Sequence, residues 1–190
     1  MNTTETQTKK RPKPKALTDM IYIAVCAALI AVCAQISVPT PVPFTLQTLG
    51  VFVAGGLLGA KRGTLSVIVY ILLGMIGIPV FANFSGGIGA LFGMTGGYII
   101  GFIFTALIVG LMCDKLGKKL WVLAVSMTAG LAVCYLFGTL WFMFVYSRQV
   151  EPIGFVAALG TCVVPYLLFD AAKIIVAAIL VNRLDKIIRL

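Results

Sequence analysis

Tyr166, Asp170 and Lys173 lie in an otherwise apolar stretch, Pro165-Tyr166-Leu167-Leu168-Phe169-Asp170-Ala171-Ala172-Lys173. Their spacing of i, i+4 and i+7 puts all three on one face of a helix. At 1.5 Å of rise per residue, Asp170 sits about 20 Å along that helix from Arg183, far from its polar end. A charge placed so deep in an apolar run costs a few kcal/mol on insertion scales. Two explanations are open. Asp170 and Lys173 form a ligand-recognition site, or they are a self-neutralising pair that locks helices together. A buried ion pair is a poor source of stability, because apolar residues often do as well. That weighs in favour of a site.

Two uncharged loops offer further candidates. Val38-Pro39-Thr40-Pro41-Val42-Pro43-Phe44-Thr45-Leu46-Gln47 is dense in proline and cannot be helical throughout. Phe81 to Gly93 is rich in glycine, carries Asn83 and Phe84, and has no charge. A cap over an apolar ligand has this composition. A turn at a membrane surface has it too. Gly87 and Gly89 do not make a nucleotide loop, because no strand precedes them and the GxGxxG spacing is absent.

The elements that must hold these residues are membrane helices. Hydrophobic residues make up 61% of the 190-residue chain and charged residues 11%, against roughly 25% charged in soluble domains. Apolar runs fall at about 17–36, 44–60, 63–80, 95–113, 119–146 and 153–181. A bilayer crossing takes roughly 20 residues, so the second and third runs are short and the last two long. Pro165 is placed to kink the sixth. The expected fold is an all-α membrane protein of six transmembrane helices. A disordered basic tail at 1–16 precedes a membrane domain at 17–182, and a basic tail follows at 183–190.

The connections alternate in charge. Lys9, Lys10, Arg11, Lys13 and Lys15 precede the first run, Lys61-Arg62 separate the second and third, Lys115, Lys118 and Lys119 the fourth and fifth, and Arg183, Lys186 and Arg189 close the chain. Loops 37–43 and 81–94 carry no charge, and loop 147–152 balances Arg148 with Glu151. The positive-inside rule then puts the N-terminus and the C-terminus in the cytoplasm. The net charge of +9 is therefore a topology signal, and nucleic acid is not an expected partner.

Small residues recur at helical spacing, as Gly55-x-x-x-Gly59 and Gly97-x-x-x-Gly101, and as Ala24, Ala27, Ala28, Ala31 and Ala34 in the first run. The glycine pairs suit close packing of the chain's own helices. The alanines suit either internal packing or contact with another protein. The five cysteines form no CxxC pair and read as reduced packing residues, not as a metal site or disulfides.

Absences narrow the function. There is no GxxxxGK[ST] loop for ATP. With no histidine, HExxH zinc proteases and Ser–His pairs are excluded. A single deep aspartate excludes a two-aspartate intramembrane protease. The chain is not expected to be an enzyme, and no cofactor or metal is expected.

Several ordered segments resemble the BioY family, the biotin-binding S components of energy-coupling factor (ECF) transporters. They are Pro43-Phe44-Thr45-Leu46-Gln47, Ala60-Lys61-Arg62-Gly63-Thr64-Leu65, Tyr70 through Gly77-Ile78-Pro79-Val80-Phe81, Gly86-Gly87, Thr95-Gly96-Gly97-Tyr98 and Asp170-x-x-Lys173. The resemblance runs over about 17–182. It implies six helices in a cell membrane, bacterial or archaeal, and a biotin pocket on the extracellular side. It also implies a partner module of one transmembrane coupling subunit and two cytoplasmic ATPases. The family's AxxxA docking motif maps best to Ala27 and Ala31, with Ala24 and Ala28 as a second register.

Biotin offers ureido N–H donors and a ureido carbonyl, an apolar thioether ring and a carboxylate. Asp170 can accept from the ureido nitrogens, Asn83 can donate and accept, and Lys173 can neutralise Asp170 and donate to biotin oxygens. Phe44, Phe84, Tyr98 and Tyr166 could wall the bicycle, with Thr45 and Gln47 beside them. The alternative is a stand-alone proton-coupled carrier with Asp170 and Lys173 as its relay. Such a carrier would be expected to show internal repeats or a second buried titratable group, and neither is evident. A ligand-free scaffold would leave the buried charges unexplained.

Overall fold

The computed structural model describes residues 15–38 and 43–188. The tail at 1–14 and the prolines at 39 and 41 lie outside the described residues. Lys15 and Ala16, expected in the tail, open the first helix.

The chain forms α1 (Lys15–Gln35), a two-residue ribbon of β1 (Ser37–Val38) and β2 (Phe44–Thr45), α2 (Gln47–Met75), α3 (Ile88–Phe92), α4 (Gly96–Leu116), α5 (Leu120–Gln149), α6 (Phe155–Cys162) and α7 (Leu167–Ile188). Among the described residues, five helical stretches are long and apolar enough to cross a bilayer. One of them, α2, is not straight. Gly59 has φ 77° and ψ −176°, outside any helix. Gln47 Nε2 donates to the Tyr70 hydroxyl, although a straight helix would separate those residues by about 35 Å. A Cβ on Gly63 would lie 2.8 Å from the Ala54 carbonyl oxygen. Thus α2 is a hairpin, with arms 47–58 and 60–75 matching the second and third apolar runs. Glycine is required at its turn because φ is positive and a side chain would meet the Asp114 carboxylate at 2.4 Å.

The sixth run is broken at Pro165. A 3-10 turn, Val164–Tyr166, joins α6 to α7, since proline lacks the N–H that an unbroken helix needs. The helix then continues through the expected basic tail as far as residue 188. With α1, the two arms of α2, α4 and α5, the broken α6–α7 gives six crossings.

Polar contacts gather the basic connections at one end. Arg62 pairs with Asp19 at 3.0 Å, and Asp114 accepts from the Ala60 N–H at 2.9 Å. Lys118 donates to the Leu57 carbonyl at 2.8 Å and to Asp185 at 2.7 Å. The start of α1, the hairpin turn, the α4–α5 connection and the end of α7 therefore meet. The ribbon and the segment 76–95 lie at the opposite end.

Helices approach closely at small residues, as the glycine spacing implied. A Cβ on Gly55 would lie 2.9 Å from the Ala106 carbonyl, on Gly101 3.0 Å from the Cys134 sulfur, and on Gly97 2.2 Å from Trp141 Cβ. Gly59 belongs to the turn instead. The alanine face of α1 needs a correction. Cys26, Ala27, Ile30, Cys33 and Ala34 point into the protein, and Ala27 is only 2% exposed. Ala31 is half-buried against the same core. The helical period fixes the opposite face as outward: Leu17, Met20, Ile21, Ala24, Val25, Ala28 and Val32 are exposed. The register that reaches the surface is Ala24 and Ala28, not Ala27 and Ala31.

Candidate functional site

At the end away from the basic connections, a cavity of about 350 Å³ opens among the ribbon, the cap at 76–95, α4, α5 and the break before α7. The α6–α7 break makes its polar floor. Because α7 starts afresh after Pro165, Asp170 stands in a first helical turn, where the helix dipole favours a negative charge. Asp170 and Lys173 are 4% and 6% exposed and pair at 2.7 Å.

Neither is left with the pair alone. Thr48 donates to Asp170 Oδ1 at 3.3 Å, and the Tyr135 hydroxyl donates to Oδ2. Lys173 also donates to the Thr45 carbonyl at 2.6 Å, and its ammonium stands 4.2 Å from the centre of the Phe44 ring. These bonds offset the desolvation that makes a bare buried pair unfavourable. Both side chains still reach the cavity surface.

Aromatic rings wall the space above. Phe44 lies against Tyr166 at 6.3 Å between centroids, interplanar angle 10°, and against Phe169 at 4.8 Å. Tyr98 is held by its hydroxyl, 3.1 Å from the Thr139 oxygen. Its ring occupies the room left by Gly138, where a Cβ would come within 2.3 Å. Phe102, Ile99 and Leu131 complete the apolar lining, together with the thiols Cys134 and Cys162. All five cysteines are free and buried.

Gln47 and Thr45 form a buried unit. The Thr45 hydroxyl donates to Gln47 Oε1 at 3.1 Å, and the Gln47 amide donates on to Tyr70. The cap brings Asn83 in from the other side. Asn83 accepts from the Ser37 hydroxyl at 2.8 Å. Asn83 and Phe84 both adopt positive φ, 57° and 54°, a conformation asparagine tolerates better than phenylalanine. Gln35 holds it in place: its amide donates to the Phe81 carbonyl at 3.1 Å, and its oxygen accepts from the Phe84 N–H at 3.0 Å.

Of the residues expected at the site, Asp170, Lys173, Asn83, Tyr166, Gln47, Thr45, Phe44 and Tyr98 all line one cavity. Phe84 does not. The left-handed turn that places Asn83, itself exposed, at the cavity's rim sends Phe84 away from it, 71% exposed. Sequence reading missed Tyr135, Thr48, Cys134 and Cys162 in the lining, and Gln35, which holds the cap. Each carries little polarity of its own, and only the packing shows which way it faces.

The family model for the BioY family matches residues 3–190. The chain belongs to the BioY family. Among BioY relatives, the biotin transporter BioY of Thermotoga maritima is 45% identical over 169 residues, covering 88% of this chain and 96% of its own. The biotin transporter BioY of Rhizobium etli is 34% identical over 175 residues, covering 85% and 90%. A crystal structure of the S-component for biotin from an ECF-type ABC transporter superposes with a TM-score of 0.82 at 30% identity, covering 90% of this chain and 93% of that one. BioY proteins are a family of transporter S components rather than enzymes, and this chain is a multi-pass protein of the cell membrane.

Proposed function

We propose that this chain binds biotin at the extracellular face and delivers it inward as the S component of an energy-coupling factor importer. The observation that carries the reading is the buried Asp170–Lys173 pair at the floor of an aromatic cavity, in a chain whose relatives are named biotin transporters. Asp170 accepts from ureido N–H groups, Lys173 and Asn83 serve the biotin oxygens, and Thr45 and Gln47 supply further polar contacts. Phe44, Tyr98 and Tyr166 pack on the bicycle. An apolar wall with a few convergent polar groups is what such a ligand needs.

The basic end faces the cytoplasm by the positive-inside rule, with both termini there, so the cavity faces outward. The sequence has no P-loop. The energy comes from two ATPase subunits through a membrane coupling subunit, which meets this chain at the exposed α1 face around Ala24 and Ala28. Titration calorimetry on the detergent-purified protein tests the ligand. Biotin should bind 1:1 without ATP or partners and raise the unfolding temperature. A titration with neither heat nor thermal protection overturns the assignment.

A further inference from the structure

A second recess lies outside the biotin cavity, between the cap and the end of α5. It has a volume of about 290 Å³ and is lined by Phe92, Trp141, Phe144, Val145, Arg148 and Gln149. None of these residues lines the larger cavity. Trp141, Phe144, Val145 and Arg148 follow i, i+3, i+4, i+7 and so form one face of α5. The Trp141 indole N–H donates to the Gly93 carbonyl at 3.0 Å, which wedges the ring against the cap. Phe92 and Phe144 are exposed, and exposed Leu136 and Leu140 continue the same apolar surface along α5.

Arg148 stands at the polar edge. Its guanidinium lies 4.3 Å from the Phe144 ring centre, and it makes no ion pair among the described residues. It is the only Lys or Arg between residues 120 and 172. Apart from buried Lys173, it is the one described cation at this end of the molecule. Aromatic side chains gather where a bilayer meets water, and arginine pairs with phosphate through parallel charge-assisted hydrogen bonds.

We propose that this recess binds a phospholipid, with an acyl chain over Phe92, Trp141, Phe144 and Val145 and the phosphate at Arg148. The apolar floor is continuous with the lipid-facing side of α5, and Arg148, the one described cation at this end without an ion pair, complements the headgroup. Gly93 lines the biotin cavity and accepts from Trp141, so the lipid abuts the cap that roofs the vitamin site. Assignment to the outer leaflet rests on the orientation proposed above. The site itself does not, and its test needs no biotin.

The chain has two tryptophans, so Trp121→Phe leaves Trp141 as the only one. That protein, in detergent, is titrated with a phospholipid brominated on its acyl chains. Fluorescence quenching should saturate, and Arg148→Gln should raise the half-saturating lipid fraction about two- to fivefold. A diacylglycerol with the same brominated chains should bind the Arg148 protein more weakly than the phospholipid does. This comparison stands even if the Arg148→Gln variant fails to fold. Quenching that rises linearly without saturation overturns the proposal. So does equal affinity for the two lipids, or quenching that lipid cannot produce because Trp141 is buried in a dimer.

Discussion

Asp170 meets more partners than its sequence neighbourhood suggests. Thr48, Tyr135 and Lys173 all donate to it, so its charge is stabilised before any ligand arrives. Asp170→Asn should weaken biotin binding roughly ten- to hundredfold, the worth of a charge-assisted hydrogen bond at about 1.5–3 kcal/mol. It also leaves Lys173 with a weaker partner, so thermal unfolding must be measured alongside calorimetry. Wild-type affinity in a folded Asp170→Asn protein would make the pair purely structural. Tyr135→Phe removes one charge-assisted bond to the carboxylate and should cost about 1.5–3 kcal/mol, seen in the same calorimetry as a roughly ten- to hundredfold loss of biotin affinity. The two changes share one carboxylate, so the double variant should lose less than the sum. Asp170 and Lys173 were legible because charge in an apolar run stands out. Tyr135 was not, because one phenol on a long apolar helix gives no sign of its direction.

At the scale of elements, two glycines do most to place the cavity. Gly59 reverses the chain, so that Gln47 at one arm's start meets Tyr70 near the other arm's end. Gly59→Val must hold a β-branched residue at positive φ and push against Asp114 at the same time. A loss of at least about 1–3 kcal/mol follows, seen as a lower unfolding temperature in detergent. Gly138→Ala acts more locally. Its methyl group would strike the Tyr98 ring and drive it toward the cavity. Overpacking of this kind costs about 1–3 kcal/mol, and biotin affinity should fall with it. Unchanged affinity in Gly138→Ala would show that Tyr98 has room to retreat. The apolar runs announced six helices, but not that the hairpin arms are joined through a single residue. Lys61 and Arg62 marked a polar turn; the positive φ at Gly59 came only with the structure.

At the scale of the whole molecule, the question is which surface meets the coupling subunit. The exposed face of α1 presents Ala24 and Ala28, whereas Ala27 is packed in the core. Ala24→Trp and Ala28→Trp should bind biotin normally but fail to copurify with the coupling subunit, because bulk there holds a helix away. Ala27→Trp should instead misfold and bind nothing. Normal assembly and uptake by both Ala24→Trp and Ala28→Trp would mean that the partner docks elsewhere.

The sequence by itself determined the solvent, the number of membrane crossings and the residues of the polar floor. Those are one-dimensional signals: runs of apolar side chains, charges between them, and two charges where none belongs. Alternation of charge also implied that the basic connections share one end, and the contacts of Asp19 with Arg62, Asp114 with the Ala60 N–H and Lys118 with Asp185 hold them there. Only the tertiary structure decided direction. It turned Ala27 inward and Ala24 outward, brought Asn83 to the cavity and sent Phe84 away from it, and carried Tyr135 and Thr48 to Asp170. In lipid the outward and inward faces of a helix are equally apolar, so the pattern that marks a buried face in water is nearly erased. Which face packs is then settled by close contacts such as Gly50 on Ile30 and Gly101 on Cys134, and these exist only once the helices have met.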